Sequence, residues 1–585
     1  MNKYKIYTLI FLALVVIGCE KDFLDTPPQD QFTDETYWTS EGNVKTFAYG
    51  FYPAYFVGYG SGYTWGDYFS GQSLNDDFAP SGPSQFTRNV PSSGGGWTFS
   101  WVRKANIFID RVQGVPMSEE AIEHWTGVGR FFRGLEYHDL VNRFGDVPWF
   151  EEELNENDNE TLYKERDDRT YVMDKVLEDF TYAAQHVRID VDNNGQEVNR
   201  DVVLGFMSRV FLFEGTWQKY HEGNNEKARE YLEAAKWAAD QVISSGRYSL
   251  GDYRDTFSSL SLKNNPEVLL FREYEDGVLM HALMSYNNVE PQTGISKDAI
   301  DSYLGADGLP IEISTVYQGD HGIREVMESR DPRIYGTVVS DTLRLPSVAS
   351  NYSTSGFAVH KFKNEEIAGL PSGTGNQNPT DAPIIRYGEV LVNYAEAAAE
   401  LATLGGGDLT QADLDKSINV LRDRPVDEGV EKLPPLQIIG GQPAVNGVVY
   451  DDPERDPEVP AIIWEIRRER RVELMMEGFR LDDLRRWEKL EYVDTVENYE
   501  INMGAWIDKS EFDPERFNLD PIRLVDQNGN LLPVDAQEGY IIPAVADELQ
   551  RRFTDPKVYL WPLPLDQITL YADQGVTLEQ NPGWD

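Results

Sequence analysis

The chain has 585 residues and carries 53 Lys and Arg against 99 Asp and Glu, a formal net charge of −46. A field of that sign argues against nucleic acid and anionic headgroups as partners, because both are bound by basic side chains that neutralise phosphate. Apolar residues at 41% and aromatics at 12% exclude wholesale disorder, and a single cysteine excludes any internal disulfide.

Lys3 and Lys5 precede an apolar run from Ile6 to Ile17, which ends Val16-Ile17-Gly18-Cys19. The run is too short for a membrane-spanning helix, which needs about 20 residues. A basic start, a short apolar run and a small residue before the cut describe a secretory leader over residues 1–18. The four closing residues resemble a bacterial lipobox, whose cleavage leaves an N-terminal cysteine for acylation. Cys19 is therefore expected to be a lipid anchor, the alternative being a free thiol with no second cysteine to pair with. Residues 19–40 then read as a tether and 41–585 as one domain, since no shift in composition divides the rest.

Gly58 to Trp97 holds nine glycines and eight aromatics. Flat aromatic faces stack on the C–H faces of sugars, and carboxylate, amide and guanidinium groups hydrogen-bond their hydroxyls. Glycine permits irregular backbone and close ligand approach. The candidate ligand residues here are Tyr63, Trp65, Tyr68, Asp76, Arg88 and Trp97, with Tyr59 and Asp77 beside them. The competing reading makes some of these rings plugs that fix the loop to the core. Trp97 is the foremost plug, with Trp101, because the pair opens a helix over residues 101–112 at i, i+4 spacing.

Gly129 to Trp149 reads GRFFRGLEYHDLVNRFGDVPW, a helix apolar on more than one side, ended by Gly145 and Pro148. Asp190, Asp192, Asn194, Gly195 and Asp201 fall at positions 1, 3, 5, 6 and 12 of a calcium loop. Position 12 should be Glu, so an acidic turn between two helices competes with calcium as the reading. Val203, Phe206, Met207 and Val210 form one helical stripe. Tyr231, Leu232, Ala235, Ala238, Ala239, Val242 and Ile243 form a second, capped by Asn224 or Asn225 and stopped by Gly246. Tyr286 and Asn287 offer a second candidate ligand site. A third stripe runs through Tyr387, Val390, Leu391, Tyr394, Ala395 and Ala398, followed by Leu414, Ile418 and Leu421. Aromatic-Ala-Ala recurs at Tyr182 and Trp237, and small residues on such stripes let helices approach closely. These are loosely repeated helix pairs resembling tetratricopeptide repeats. Asn364 to Pro383 and Pro425 to Pro460 read as long polar loops.

Ile463 to Trp487 reads IWEIRRERRVELMMEGFRLDDLRRW. Glu465 with Arg468, Arg470 with Glu473, and Asp482 with Arg486 stand at ion-pair spacing, and Gly478 breaks the helix. Interleaved Glu and the acidic balance favour an ion-pair lattice joining helices over a phosphate site.

The blocks at 129–149 and 463–487 resemble those of the SusD/RagB family, the surface glycan-binding lipoproteins of Bacteroidetes. Further matching text is CEKDFLDTPP from Cys19, NIFIDRV from Asn106, SKDAIDSYLGADGLPI from Ser296, Arg330 to Arg333, RYGEVLVNYAEAAAELA from Arg386, and the tail with Trp561-Pro562-Leu563-Pro564 and Asn581-Pro582-Gly583-Trp584. Glu20-Lys21-Asp22 resembles the acidic stretch of surface-exported lipoproteins. The resemblance runs from end to end. It implies a mainly α fold, with a scaffold of four tetratricopeptide-like helix pairs and a long loop-rich portion that presents ligand. It also implies a non-catalytic outer-membrane surface lipoprotein that captures oligosaccharide without a cofactor. Its partner would be a TonB-dependent, SusC-like transporter, over which it acts as a lid. Capture of peptides, as on the RagB side of the family, and a helical adaptor without a nutrient ligand remain alternatives. The matching motifs are scaffold motifs and carry no ligand residues across. His-Glu-x-x-His, Gly-x-Ser-x-Gly and phosphate-loop signatures are missing, which leaves a carboxylate pair as the only enzyme chemistry in reach.

Overall fold

A computed structural model describes residues 34–64, 66–68, 74–154, 157–191, 195–288, 294–345, 353–546 and 549–584. Cys19 and the leader lie outside the described residues. No described helix is long and apolar enough to cross a membrane.

Helices dominate. The main ones are α1 (Glu41–Tyr49), α2 (Ser100–Val112), α3 (Glu119–Phe144), α4 (Arg169–His186), α5 (Arg200–Tyr220), α6 (Asn225–Ser244), α7 (Tyr387–Thr403), α8 (Ala461–Glu473) and α9 (Arg480–Arg486). The pairs α3/α4 and α5/α6 pack side by side, and α7 packs on α6 and on α8. Asn224 caps α6 as its sequence predicts, its side chain accepting from the Lys227 N–H. The stripe Tyr231, Leu232, Ala235, Ala238, Ala239 and Val242 is fully buried in the main core, facing apolar residues of α5. Both faces of α3 are buried, which explains its lack of a single apolar side.

The strands are short. β1 (Val268–Arg272) pairs antiparallel with β2 (Ala382–Arg386). The stretch from Pro425 to Pro460, expected as a loop, folds in part into a meander of β3 (Gln437–Ile439), β4 (Gln442–Val445) and β5 (Val448–Val449). Gly440-Gly441 and Asn446-Gly447 make its two turns, a hairpin signal that the proline count hid. A last sheet has the order β6 (Trp506–Asp508), β8 (Glu538–Ile541), β7 (Leu524–Val525). A second hydrophobic core lies in this loop-rich half, with Tyr59, Phe257, Phe362 and Val472 among its members.

Between the two cores runs a lattice of buried ion pairs centred on α8. Arg386, at the end of β2, meets Glu477 at 2.6 Å and both Glu473 and Glu267 at 2.7 Å. Arg424 bridges Glu267 and Glu473, Arg333 joins Asp331 to Glu469, and Arg422 joins Glu465 to Glu469. The expected lattice is present, with different partners from those that sequence spacing suggests. Arg468 does pair with Glu465 at 3.2 Å. Arg470 instead takes Asp483 at 2.8 Å, and Arg486 takes Glu396 at 2.6 Å together with Asp483. On a helix buried all round, residues on neighbouring elements outcompete the next turn.

Candidate functional site

The glycine-rich segment folds back on itself. A Cβ at Gly66 would come 2.2 Å from the Gly58 carbonyl oxygen, so only glycine allows this closure. Gly478, just before α9, approaches the Asp67 carbonyl so closely that a Cβ would lie 2.4 Å from it, at φ +88°. That contact seats the segment against the scaffold.

Tyr59 and Tyr68 are pulled inward. The Tyr59 hydroxyl donates to the Phe257 carbonyl at 2.8 Å and that of Tyr68 to the Pro383 carbonyl at 2.5 Å, with the two rings edge to face at 4.8 Å. Tyr63 stays out, 63% exposed. Three loops meet beneath it. The Tyr286 hydroxyl donates to the Tyr63 carbonyl at 2.6 Å, the Gly62 N–H to the Met280 carbonyl at 2.8 Å, and the Gly375 N–H to Ser285 Oγ at 3.0 Å. Tyr286, half-buried against the second core, thus ties down the Tyr63 backbone and leaves the Tyr63 ring exposed. Trp65 lies outside the described residues.

Several expected ligand residues are structural instead. Trp97, 7% exposed, packs edge-on against Phe99 and Phe144 and is a core plug. Asn287 is buried and donates to the Leu283 carbonyl of its own short helix. Asp76 is buried under Arg480, which donates to both carboxylate oxygens at 2.6 and 2.7 Å. Burial opposes its ionisation, but Arg471 and Arg480 outweigh that and hold the carboxyl well below the usual range. Asp201 is gripped by Arg247 through bonds of 2.5 and 2.6 Å, so its oxygens are not free for calcium. Asp190 is described but has no metal-like cluster around it, and Asp192 and Asn194 lie outside the described residues.

Beside the segment opens a cleft of about 850 Å³. Its walls come from α3, α5 and α9, from residues of the glycine-rich segment, and from Trp561 near the C-terminus. On one side lie Asp67, the edge of Tyr68, and Arg209, whose guanidinium is paired with Glu389 at 2.6 and 2.7 Å. Crowding by the cleft walls pushes the Asp67 carboxyl up to about 6, against the pull of Arg209 and Arg272, although the residue keeps an exposed side. Arg88 also lines the cleft, its guanidinium carbon 3.5 Å from the centre of the Trp561 ring. His138 lies in the wall with a buried Nδ1 that has no hydrogen-bond partner, and burial lowers its pKa to about 3, keeping it neutral. The cleft therefore offers hydroxyl acceptors, donors and ring faces together. Trp561 and Asp67 had no signal in the sequence as site residues. The tail reaches the cleft through a tertiary contact, its Trp561 N–H donating to the Arg143 carbonyl.

The helix-pair scaffold thus holds an exposed tyrosine and a polar cleft on the same glycine-rich segment. The family model described as the SusD family matches residues 283–584. A SusD-like protein, P38, from Formosa agariphila is 24% identical over 513 residues, covering 84% of this chain and 93% of the relative. A SusD-like protein from Bacteroides ovatus is 25% identical over 294 residues, 46% of this chain and 50% of the relative. Among solved structures, a SusD-like carbohydrate-binding protein from Bacteroides fragilis superimposes with a TM-score of 0.65 at 20% identity, over 92% of this chain and 99% of that one. A laminarin-binding SusD-like protein gives 0.54 at 17% identity, over 93% and 100%. The chain belongs to the SusD family, and its fold is the SusD-like one.

Proposed function

We propose that this protein captures oligosaccharide at the outer-membrane surface and hands it, chemically unchanged, to a TonB-dependent transporter over which it sits as a lid. The observation that carries the binding reading is that a single glycine-rich segment supplies both the exposed Tyr63 and the cleft residues Asp67, Tyr68 and Arg88. Sugar rings need flat faces for their C–H sides and mixed donors and acceptors for their hydroxyls, and the exposed ring and the cleft offer these on one segment. Carbohydrate binding by the Bacteroides fragilis neighbour and laminarin binding by the other support the ligand class. Membership of the family supports the surface location and the transporter, and the leader that ends just before Cys19 supports the lipid anchor.

A combined glycan and peptide array tests the ligand class, followed by titration calorimetry on the best hit and chromatography of that hit after prolonged incubation. Saccharide binding with no new products is expected. Binding confined to peptides, or the appearance of shorter saccharides, overturns the corresponding part of the reading. Solubilisation of the native membrane in mild detergent should bring down a large β-barrel with the lipoprotein, and recovery of the lipoprotein alone refutes the partnership.

A further inference from the structure

Among the described residues Arg88 is a cation without a counter-ion, in a protein whose net charge is −46. Among the described residues it makes no hydrogen bond and no ion pair; its one contact of note is the stack on Trp561. Its electrostatic neighbours are like charges. Burial lowers its pKa first, then Arg485 and Arg143, and no carboxylate acts on it. The other cleft cations are matched: Arg143 by Asp139 at 2.5 Å, Arg485 by Asp482 at 3.1 Å, and Arg209 by Glu389 at 2.6 Å. Asp67, the raised carboxyl of the same cleft, lies under the pull of Arg209 and Arg272.

We infer that the Arg88 part of the cleft binds the anionic substituent, carboxylate or sulfate, of an acidic oligosaccharide, with Asp67 accepting from neutral hydroxyls further along. This rests on the reading of the cleft as a saccharide site. Stacking on indole uses the face of the guanidinium and leaves its N–H edge without a protein acceptor, and that edge is the part that matches a carboxylate or sulfate with two parallel bonds. An anion there also relieves the repulsion that Arg143 and Arg485 exert on Arg88.

Titration calorimetry on the purified protein with trigalacturonate, a sulfated galactose trisaccharide, neutral galactotriose and tri-glutamate tests this. At least one acidic trisaccharide should bind ten-fold or more tighter than galactotriose, and which one does so names the anion. Arg88→Gln should abolish that preference, bringing the acidic trisaccharides to the affinity of galactotriose for the same variant, while Arg88→Lys restores part of it. The substitution breaks no protein hydrogen bond, so the melting temperature should stay put. Galactotriose binding as tightly as both acidic sugars, or a preference that survives Arg88→Gln, overturns the proposal alone. Tri-glutamate binding as tightly as the acidic sugars overturns its saccharide part. Absence of binding by all three sugars, and by every array glycan, overturns it together with the saccharide reading of the cleft.

Discussion

Replacing Tyr63 with Ala separates ligand binding from stability. A fully covered aromatic side chain buries about 150–250 Å². With Tyr63 63% exposed, roughly 120 Å² of it faces solvent. A sugar ring stacked on one face covers about half of that, ~60 Å², which at ~25 cal/mol per Å² contributes about 1.5 kcal/mol. That corresponds to a ten-fold or slightly larger rise in Kd, since about 1.4 kcal/mol is a factor of ten. The hydrogen bond from Tyr286 goes to the Tyr63 backbone carbonyl and survives the change, so the segment should keep its shape. Calorimetry of wild type and Tyr63→Ala against the best array glycan, with thermal melts of both, is the assay. Unchanged affinity refutes stacking at this ring, and so does a lost affinity accompanied by a lower melting temperature. Tyr68 is unsuited to this experiment because its ring is part of the second core.

Arg386→Met should lower the urea midpoint, because Glu267, Glu473 and Glu477 lose the cation they share and keep only Arg424, Arg333 and Lys361 to balance them in a dry interior. Stranding buried charge costs on the order of 3–5 kcal/mol, and an unmoved midpoint contradicts the lattice. Glu136 is buried and accepts from the Tyr55 hydroxyl at 2.7 Å; burial raises its pKa from 4.5 to about 7 despite that bond. The stability it contributes is full below pH 4.5 and is lost as pH rises through 7, by about 2–3 kcal/mol. Glu136→Gln should therefore show a shallower fall in stability between pH 5 and pH 8, and parallel profiles would refute the shift. Cys19→Ala should release the protein from the membrane, and an unmodified Cys19 thiol in the mature wild type, seen by mass spectrometry, would rule out the anchor.

The scaffold was legible because its signals are local. Asn224, the stripe through Tyr231 and Val242, and Gly246 all lie within a few turns of one another, and α6 follows them closely. The partners of α8 were not legible. Glu473 stands three residues from Arg470, yet Arg386, Arg424 and Arg333 reach it from distant parts of the chain. In the glycine-rich segment the same composition serves two opposite ends. Tyr63 presents its ring to solvent while Tyr59, Tyr68 and Trp97 turn theirs inward, and the distinction lies in acceptors such as the Phe257 and Pro383 carbonyls. No spacing within the segment encodes those acceptors.

The lattice around α8 also bears on how such a protein can change over generations. Glu473 answers to Arg333, Arg386 and Arg424 together, and Glu267 to two of the same three. A lone replacement in that set strands a charge, so drift there has to proceed by coordinated exchanges and is correspondingly slow. The ring of Tyr63 and the guanidinium of Arg88 satisfy no buried partner, and each can be swapped singly at little structural penalty. On the proposed reading, a change of preferred sugar needs only single steps at these two side chains, while the interior stays fixed.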